Sequence, residues 1–526
     1  MTTEHKKDVA SFLGGARIKP STLVGAPVLA DGQIQPVTDQ PGVNLYVRKG
    51  GVLVPAVDAT TAAKFATTEP IVMAVDPSTG TSPPAGTIVT NQAEYDALGY
   101  DLKYPQDALD ILPPVIKARV IIHLLVGTHL AKPDSYAPGM STMLYVSSKF
   151  YETPDGLLDF SSPSFTKDIN FVGDESTILD VAQAGTVSVS HKVTRTAGTW
   201  AVNEHKGMFC LFTTGVNAGA KVVIVSNTTT ELITEGPALT SGACTFEIVS
   251  PAAVLIGSSD GVTACYCGPI VTGAAGGYWG VSGVNLWNVQ LGNAAFPCLM
   301  STLVGSYLNI DGSRVLLNDW AGFNVVSSFL RLANGYLKLE ASGYSGINNE
   351  SSSIVVISQS FLEFAVTDST PDYCGFLMHT HSVLHTWYTT YKALPSHLAG
   401  KPLFRFERGG VFFPEGHFTV DGSGLASCLS VGPGSAVKSD MNLTVNNCMT
   451  AYACDNGGSL YVSNGAGSGN TNGFVLDSGG LMQAANPAGL GATNPIVIDG
   501  ITHPYTDLPS AGDTIVGQHG SKIGRS

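Results

Sequence analysis

Val284-Asn-Leu-Trp-Asn-Val289, Ser306-Tyr-Leu-Asn-Ile-Asp311, Ser328-Phe-Leu-Arg-Leu-Ala333 and Ser352-Ser-Ile-Val-Val-Ile357 all lie between Gly280 and Val366 and share one pattern. Aligned on Leu286, Leu308, Leu330 and Ile354, they recur at steps of 22, 22 and 24 residues. Each run is β-branched, aromatic or leucine-rich and is bounded by Gly, Asn, Ser or Asp, the composition of a short strand between turns. A near-constant step of this length marks a solenoid. No helical periodicity fits between the strands, so the predicted architecture is a parallel β-helix in which each coil buries its apolar face on the next.

Working outward, composition agrees. At 526 residues the chain exceeds one compact core, so several domains or an elongated repeat are expected. Only 13% of residues are charged, 60 are Gly and 44% are hydrophobic, which excludes a disordered chain and argues against a helical one. The net charge is −14 and no Lys/Arg cluster interrupts it, so a phosphate backbone would be repelled and nucleic acid is not a predicted partner. The nine cysteines are odd in number and scattered, mostly inside strand-like runs such as Phe209-Cys210-Leu211-Phe212. They read as small buried apolar residues of a protein made in a reducing cytoplasm. Met1 to Lys7 is polar with no apolar core behind it, and no stretch reaches the roughly 20 apolar residues of a membrane span.

Residues 1–87 are rich in Pro, Gly, Thr and Val and are read as a small β-rich region ending in the linker Pro77 to Gly86. Then Thr90-Asn-Gln-Ala-Glu-Tyr-Asp-Ala-Leu98 opens with N-cap residues, a second helical turn is predicted from Pro105 to Leu112, and Val120-Ile-Ile-His-Leu-Leu-Val-Gly-Thr-His129 reads as a buried strand. This order of helix, Pro break and strand ending in Gly-Thr resembles the opening of the β-helix in bacteriophage tailspike and tail-fibre proteins. There an amphipathic helix covers the open end of the solenoid, and physically a first coil needs such a cover.

Residues 88–189 are accordingly assigned to the capping helix and first coils, with Ile178-Leu179 starting a coil. Residues 190–250 alternate apolar and polar with Gly turns and read as an inserted antiparallel β-module. Residues 251–500 are the main β-helix, interrupted between Cys374 and Pro414, and 501–526 are a tail of turn composition. The fold class is thus all-β: a parallel β-helix with a small N-terminal β-rich region and an inserted antiparallel module, right-handed by the resemblance and by the general preference of crossovers.

Three acids, Asp319, Glu340 and Glu363, are separated by 21 and 23 residues, close to the period. Coils stack about 4.8 Å apart, so one coil of separation suits the roughly 5 Å carboxylate pair of a retaining glycosidase and two coils an inverting one. The plain alternative is a solvated face on which three acids align by chance. Tyr307, Trp320, Tyr336 and Tyr344 are candidate stacking faces for sugars. His379 and His381 have i, i+2 spacing, which on a strand puts two imidazoles on one face, as a metal site or as interface or core histidines. No cofactor is implied. The resemblance implies a virion tail protein, made in the host bacterial cytoplasm, that recognises host-surface polysaccharide. It further implies a homotrimer that meets other tail or baseplate proteins through its N-terminal region. A glycoside hydrolase and a purely structural tail component are the alternatives.

Overall fold

The computed structural model describes three short strands between residues 34 and 55 and then residues 66–525 with breaks, the longest being 152–168, 257–264 and 273–281. The long sheets are built from parallel strands in which each coil pairs with the next. Ser306–Asp311, Phe329–Ala333, Ile354–Ser358, Val383–Ala393 and Val411–Asp421 follow one another along one sheet. Ser301–Val304, Phe323–Val326, Ile347–Glu350, Phe376–Met378 and Pro402–Phe406 do so along a second. This is the parallel β-helix, and one contiguous core runs through it from Ile71 to Ile523. Inside, aromatic rings stack from coil to coil: Phe376 lies on Phe404 at 5.0 Å and Tyr452 on Phe474 at 5.6 Å between centroids.

The register refines the repeat. Leu308 stands opposite Val284 on one side and Leu330 on the other, while Leu286 faces Ile310. A two-residue slip keeps Leu286 on the core face, where it is buried. The slip at the last step is one residue, because Leu330 faces Val355 and not Ile354. Side chains alternate across a strand, so Ile354 turns outward, 41% exposed, and Val355 takes the core place.

The solenoid starts earlier and ends later than its composition suggests. Ile71–Val75, within the segment assigned to the N-terminal region, pairs in parallel with Val120–Leu124 and forms the first rung. The helix Gln92–Asp96, capped by Asn91, covers that rung's free edge. Gln92 Oε1 accepts the Val72 amide at 2.7 Å, its Nε2 donates to the Val72 carbonyl at 3.0 Å, and Tyr95 OH accepts the Ala74 amide at 2.9 Å. An open parallel edge is a template for unwanted pairing, and two side chains occupy it here. At the other end Lys522–Arg525 pairs in parallel with Leu481–Ala484, so the tail supplies a further rung.

The antiparallel module is a closed six-stranded barrel, Ser176 to Pro251, rather than beginning at residue 190. Ser176–Val189 pairs antiparallel with Gly242–Pro251, which places Ile178 and Leu179 in the barrel and not in a coil. Its core gathers Trp200, Phe212, Ile224, Phe246 and Ile248. Nor are the coils interrupted between Cys374 and Pro414. Val383–Ala393 and Val411–Asp421 each run through what is two separate strands in earlier coils, and a register shift between Trp387 and Thr389 absorbs the missing corner.

Candidate functional site

The barrel sits on the outer face of the solenoid and decides what happens to the acid ladder. Phe209, Val223 and Val249 of the barrel pack on Leu316, Tyr336 and Phe361 of three successive coils. Within this contact Glu363 is buried, its Oε1 held by Lys206 Nζ of the barrel at 2.8 Å and its Oε2 by Tyr336 OH at 2.6 Å. Burial, then the neighbouring Glu363 carboxylate, pushes the Tyr336 hydroxyl far above its ordinary range, so it stays a donor. Lys221 is half-buried between barrel and solenoid, its Nζ donating to Asn288 Oδ1 at 2.8 Å and to the Gly312 carbonyl at 3.1 Å, and desolvation lowers its pKa to about 8. Glu235 of the barrel accepts from Thr390 of the solenoid at 2.7 Å, and burial raises its carboxyl to about 7.

Glu340 and Glu363 therefore do not share a cleft. Glu363 stands opposite Lys338, and Glu340 stands opposite Ala365, so the 23-residue step leaves them in different files. Glu340 is paired with Lys338 at 2.9 Å at the surface, whereas Glu363 is under the barrel. Asp319 lies outside the described residues, as do Trp320 and Tyr344. Tyr307 and Tyr336 are 1% and 3% exposed, one in the solenoid core and the other beneath the barrel, so neither offers a face to a sugar. His379 and His381 lie in a turn between Phe376–Met378 and Val383–Ala393. Thr380 and His381 have φ of 51° and 61°, so strand alternation does not apply and the two rings are not presented by one strand face. His379 accepts or donates at Nδ1 to the Thr380 hydroxyl and its Nε2 lies 3.9 Å from Glu407 Oε2.

What the coils do present together is a group of rings on the two long strands. Leu384 and Thr386 point inward and are buried, so His385 and Trp387 point outward, with ring centroids 4.9 Å apart. On the next coil Phe413 stands opposite His385 and Glu415 opposite Trp387. Phe413 is 54% exposed and His385 Nε2 lies 3.4 Å from Glu415 Oε2. Tyr388 sits at the register shift with φ of 50° and is also exposed. Its ring covers Gly416, where a Cβ would lie 3.1 Å from it. Chemically this is a flat apolar surface with a carboxylate at its rim, able to pack against the C–H face of a sugar ring while the carboxylate accepts from hydroxyls. Around the corner a shallow depression of about 400 Å³ is lined by Lys401, Arg405, Ser427 and Ser430. The clustering of His and aromatics between Cys374 and Pro414 was the sequence signal for this face; the pairing of Phe413 with His385 was not legible, because it depends on a 28-residue coil longer than the repeat.

The class of protein defined by these observations is a β-solenoid carrying an inserted barrel. No known protein family profile matches the sequence, and no curated protein matches it either. Solved structures found similar to it include a tailspike of Pseudomonas phage phi297, at 12% identity over 73% of this chain and 71% of that one, with a TM-score of 0.22. A glycoside hydrolase matches at 9% identity over 78% and 96%, TM-score 0.24. A tailspike of Acinetobacter baumannii bacteriophage AP22, solved in complex with capsular saccharide, matches at 7% identity over 72% and 74%, TM-score 0.14. At these scores the likeness carries no weight of its own, and the parallel β-helix rests on the strand register above.

Proposed function

We propose that this chain is a tailspike-like or tail-fibre-like protein of a bacteriophage virion, and that it binds host-surface polysaccharide. One observation carries the reading: Tyr388 and Phe413 are exposed and Trp387 is partly exposed on neighbouring coils, beside the exposed Glu415. Exposed rings fixed by a scaffold bind with little loss of side-chain freedom. The resemblance of residues 90–129 to the opening of tailspike β-helices is consistent with it. In the same reading the protein is a homotrimer, the segment before the first rung meets other tail or baseplate proteins, and synthesis takes place in the host cytoplasm. Binding without cleavage fits the carboxylates better than hydrolysis does, since Glu363 is committed to Lys206 and Tyr336.

The test is incubation of purified protein with host cells and with isolated host polysaccharide, following retention and new reducing ends. Retention without release supports an adhesin. Defined oligosaccharide products would replace it with a depolymerase, and neither retention nor release would leave a structural tail component.

A further inference from the structure

A second acid file lies on the last coils, toward the C-terminus from Glu340 and Glu363. Val431, Cys454, Leu476 and Ile498 stand opposite one another in successive parallel strands. Asp455, Asp477 and Asp499 each follow the last residue of such a strand, 22 residues apart. Each leaves the sheet at the same corner, one coil above the previous one. Their amides are held alike, Asp455 by the Val431 carbonyl at 3.0 Å, Asp477 by Cys454 at 3.1 Å and Asp499 by Leu476 at 2.9 Å. Stacked carboxylates at this spacing repel. Asp455 Oδ1 is buried there with no hydrogen-bond partner.

The C-terminal hairpin closes over this corner. Thr514–Val516 and Lys522–Arg525 are its two strands, and the loop between them carries His519. Asp499 anchors the loop: its Oδ2 accepts the His519 amide at 3.0 Å and its Oδ1 the Ser521 hydroxyl at 3.0 Å, with the Asp499 side chain only 2% exposed. His519 Nδ1 lies 3.6 Å from Asp499 Oδ1, and donor atoms of Asp477, Asp499 and His519 all fall within 4.8 Å of one another. Among the described residues no Lys or Arg ion pair reaches Asp477 or Asp499, and His519 is the basic side chain within ion-pairing distance of Asp499.

We propose that Asp477, Asp499 and His519 form a binding site for a divalent first-row transition cation of the zinc and nickel class, which pins the C-terminal hairpin to the last coils. Two oxygens and one imidazole nitrogen come from three separated segments and leave the remaining coordination positions to water. A hard cation such as calcium, which prefers six or more oxygens, fits this set poorly. The cation offsets the repulsion within the acid file and adds a further tie between the hairpin and the solenoid.

The experiment uses the full chain stripped with chelator. Zn²⁺, Ni²⁺ and Ca²⁺ are titrated by calorimetry against parent, His519→Ala and Asp477→Asn, and thermal midpoints are read with and without metal. His519 and Asp477 are exposed, so metal-free midpoints matching the parent establish that both variants fold. The expected result is one Zn²⁺ or Ni²⁺ per chain, weakened at least tenfold in both variants, with a metal-induced rise in midpoint that only the parent shows. Co²⁺ bound to the parent is expected to give visible absorption that His519→Ala shifts or loses. Absence of saturable binding, binding undiminished in both variants, or Ca²⁺ bound as tightly as Zn²⁺ would each overturn the proposal.

Discussion

Lys206 of the barrel reaches Glu363 of the solenoid across 157 residues of chain, Nζ to Oε1 at 2.8 Å, and Glu363 has no other cation within ion-pairing distance among the described residues. The pair lies beside the apolar contact made by Phe209, Val223, Val249, Leu316, Tyr336 and Phe361, and Lys221 and Glu235 add further polar ties between barrel and solenoid.

Removing the cation leaves a buried carboxylate with one remaining donor, Tyr336. Lys206→Met is expected to weaken the barrel's attachment by about 1–3 kcal/mol, the ordinary cost of losing a hydrogen bond to a charged group. Lys206→Met combined with Glu363→Gln is expected to recover part of that loss. Urea unfolding of the two singles and the double closes the cycle, and strict additivity would show that the contact is not coupled.

Glu235 sets a pH dependence. Its folded-state pKa, raised to about 7 from 4.5, means the folded chain holds a proton that the unfolded chain releases at lower pH. The stability it contributes is therefore fully present below about pH 4.5 and is lost as pH rises through 7, by on the order of 3 kcal/mol at full range. Glu235→Gln keeps an acceptor for Thr390 and is expected to flatten this part of the profile, making the variant more stable than the parent at pH 8. Equal slopes in parent and variant between pH 5 and 7 would remove Glu235 as the cause.

The edge cover at the first rung is separable from the core. Gln92→Leu with Tyr95→Phe removes the acceptors of the Val72 and Ala74 amides, at about 0.5–1.5 kcal/mol each. Hydrogen exchange is expected to speed up at those two amides while the central coils, Ser306 to Val366, keep their protection. The freed edge should also raise association between molecules, read by light scattering.

On the aromatic face, Trp387→Ala and Phe413→Ala are expected to lower retention on host cells by about tenfold each, near 1–1.5 kcal/mol per ring. Phe413 is more than half exposed, so its variant should unfold with the parent. Tyr307→Phe, a change in the buried core, is the control and should leave retention unaltered.

The sequence alone determined the solenoid, since a 22-residue step of short apolar runs has few other ways to bury itself, and Leu308 and Leu330 are indeed stacked. It also determined that a short capped helix covers the end of the solenoid and that an antiparallel module breaks the coils, because N-cap chemistry and period-2 alternation are local signals. It did not determine register. Coils here vary in length, and a slip of one residue reverses a side chain, which is why Ile354 is outside and Val355 inside, and why Glu340 and Glu363 occupy different files. Only the tertiary structure decided which outward residues remain at the surface. The barrel buries Glu363 and Tyr336, and the C-terminal hairpin carries His519 to Asp477 and Asp499; the 22-residue step aligns the two acids, but where barrel and hairpin fold back on the coils has no local signal in the chain.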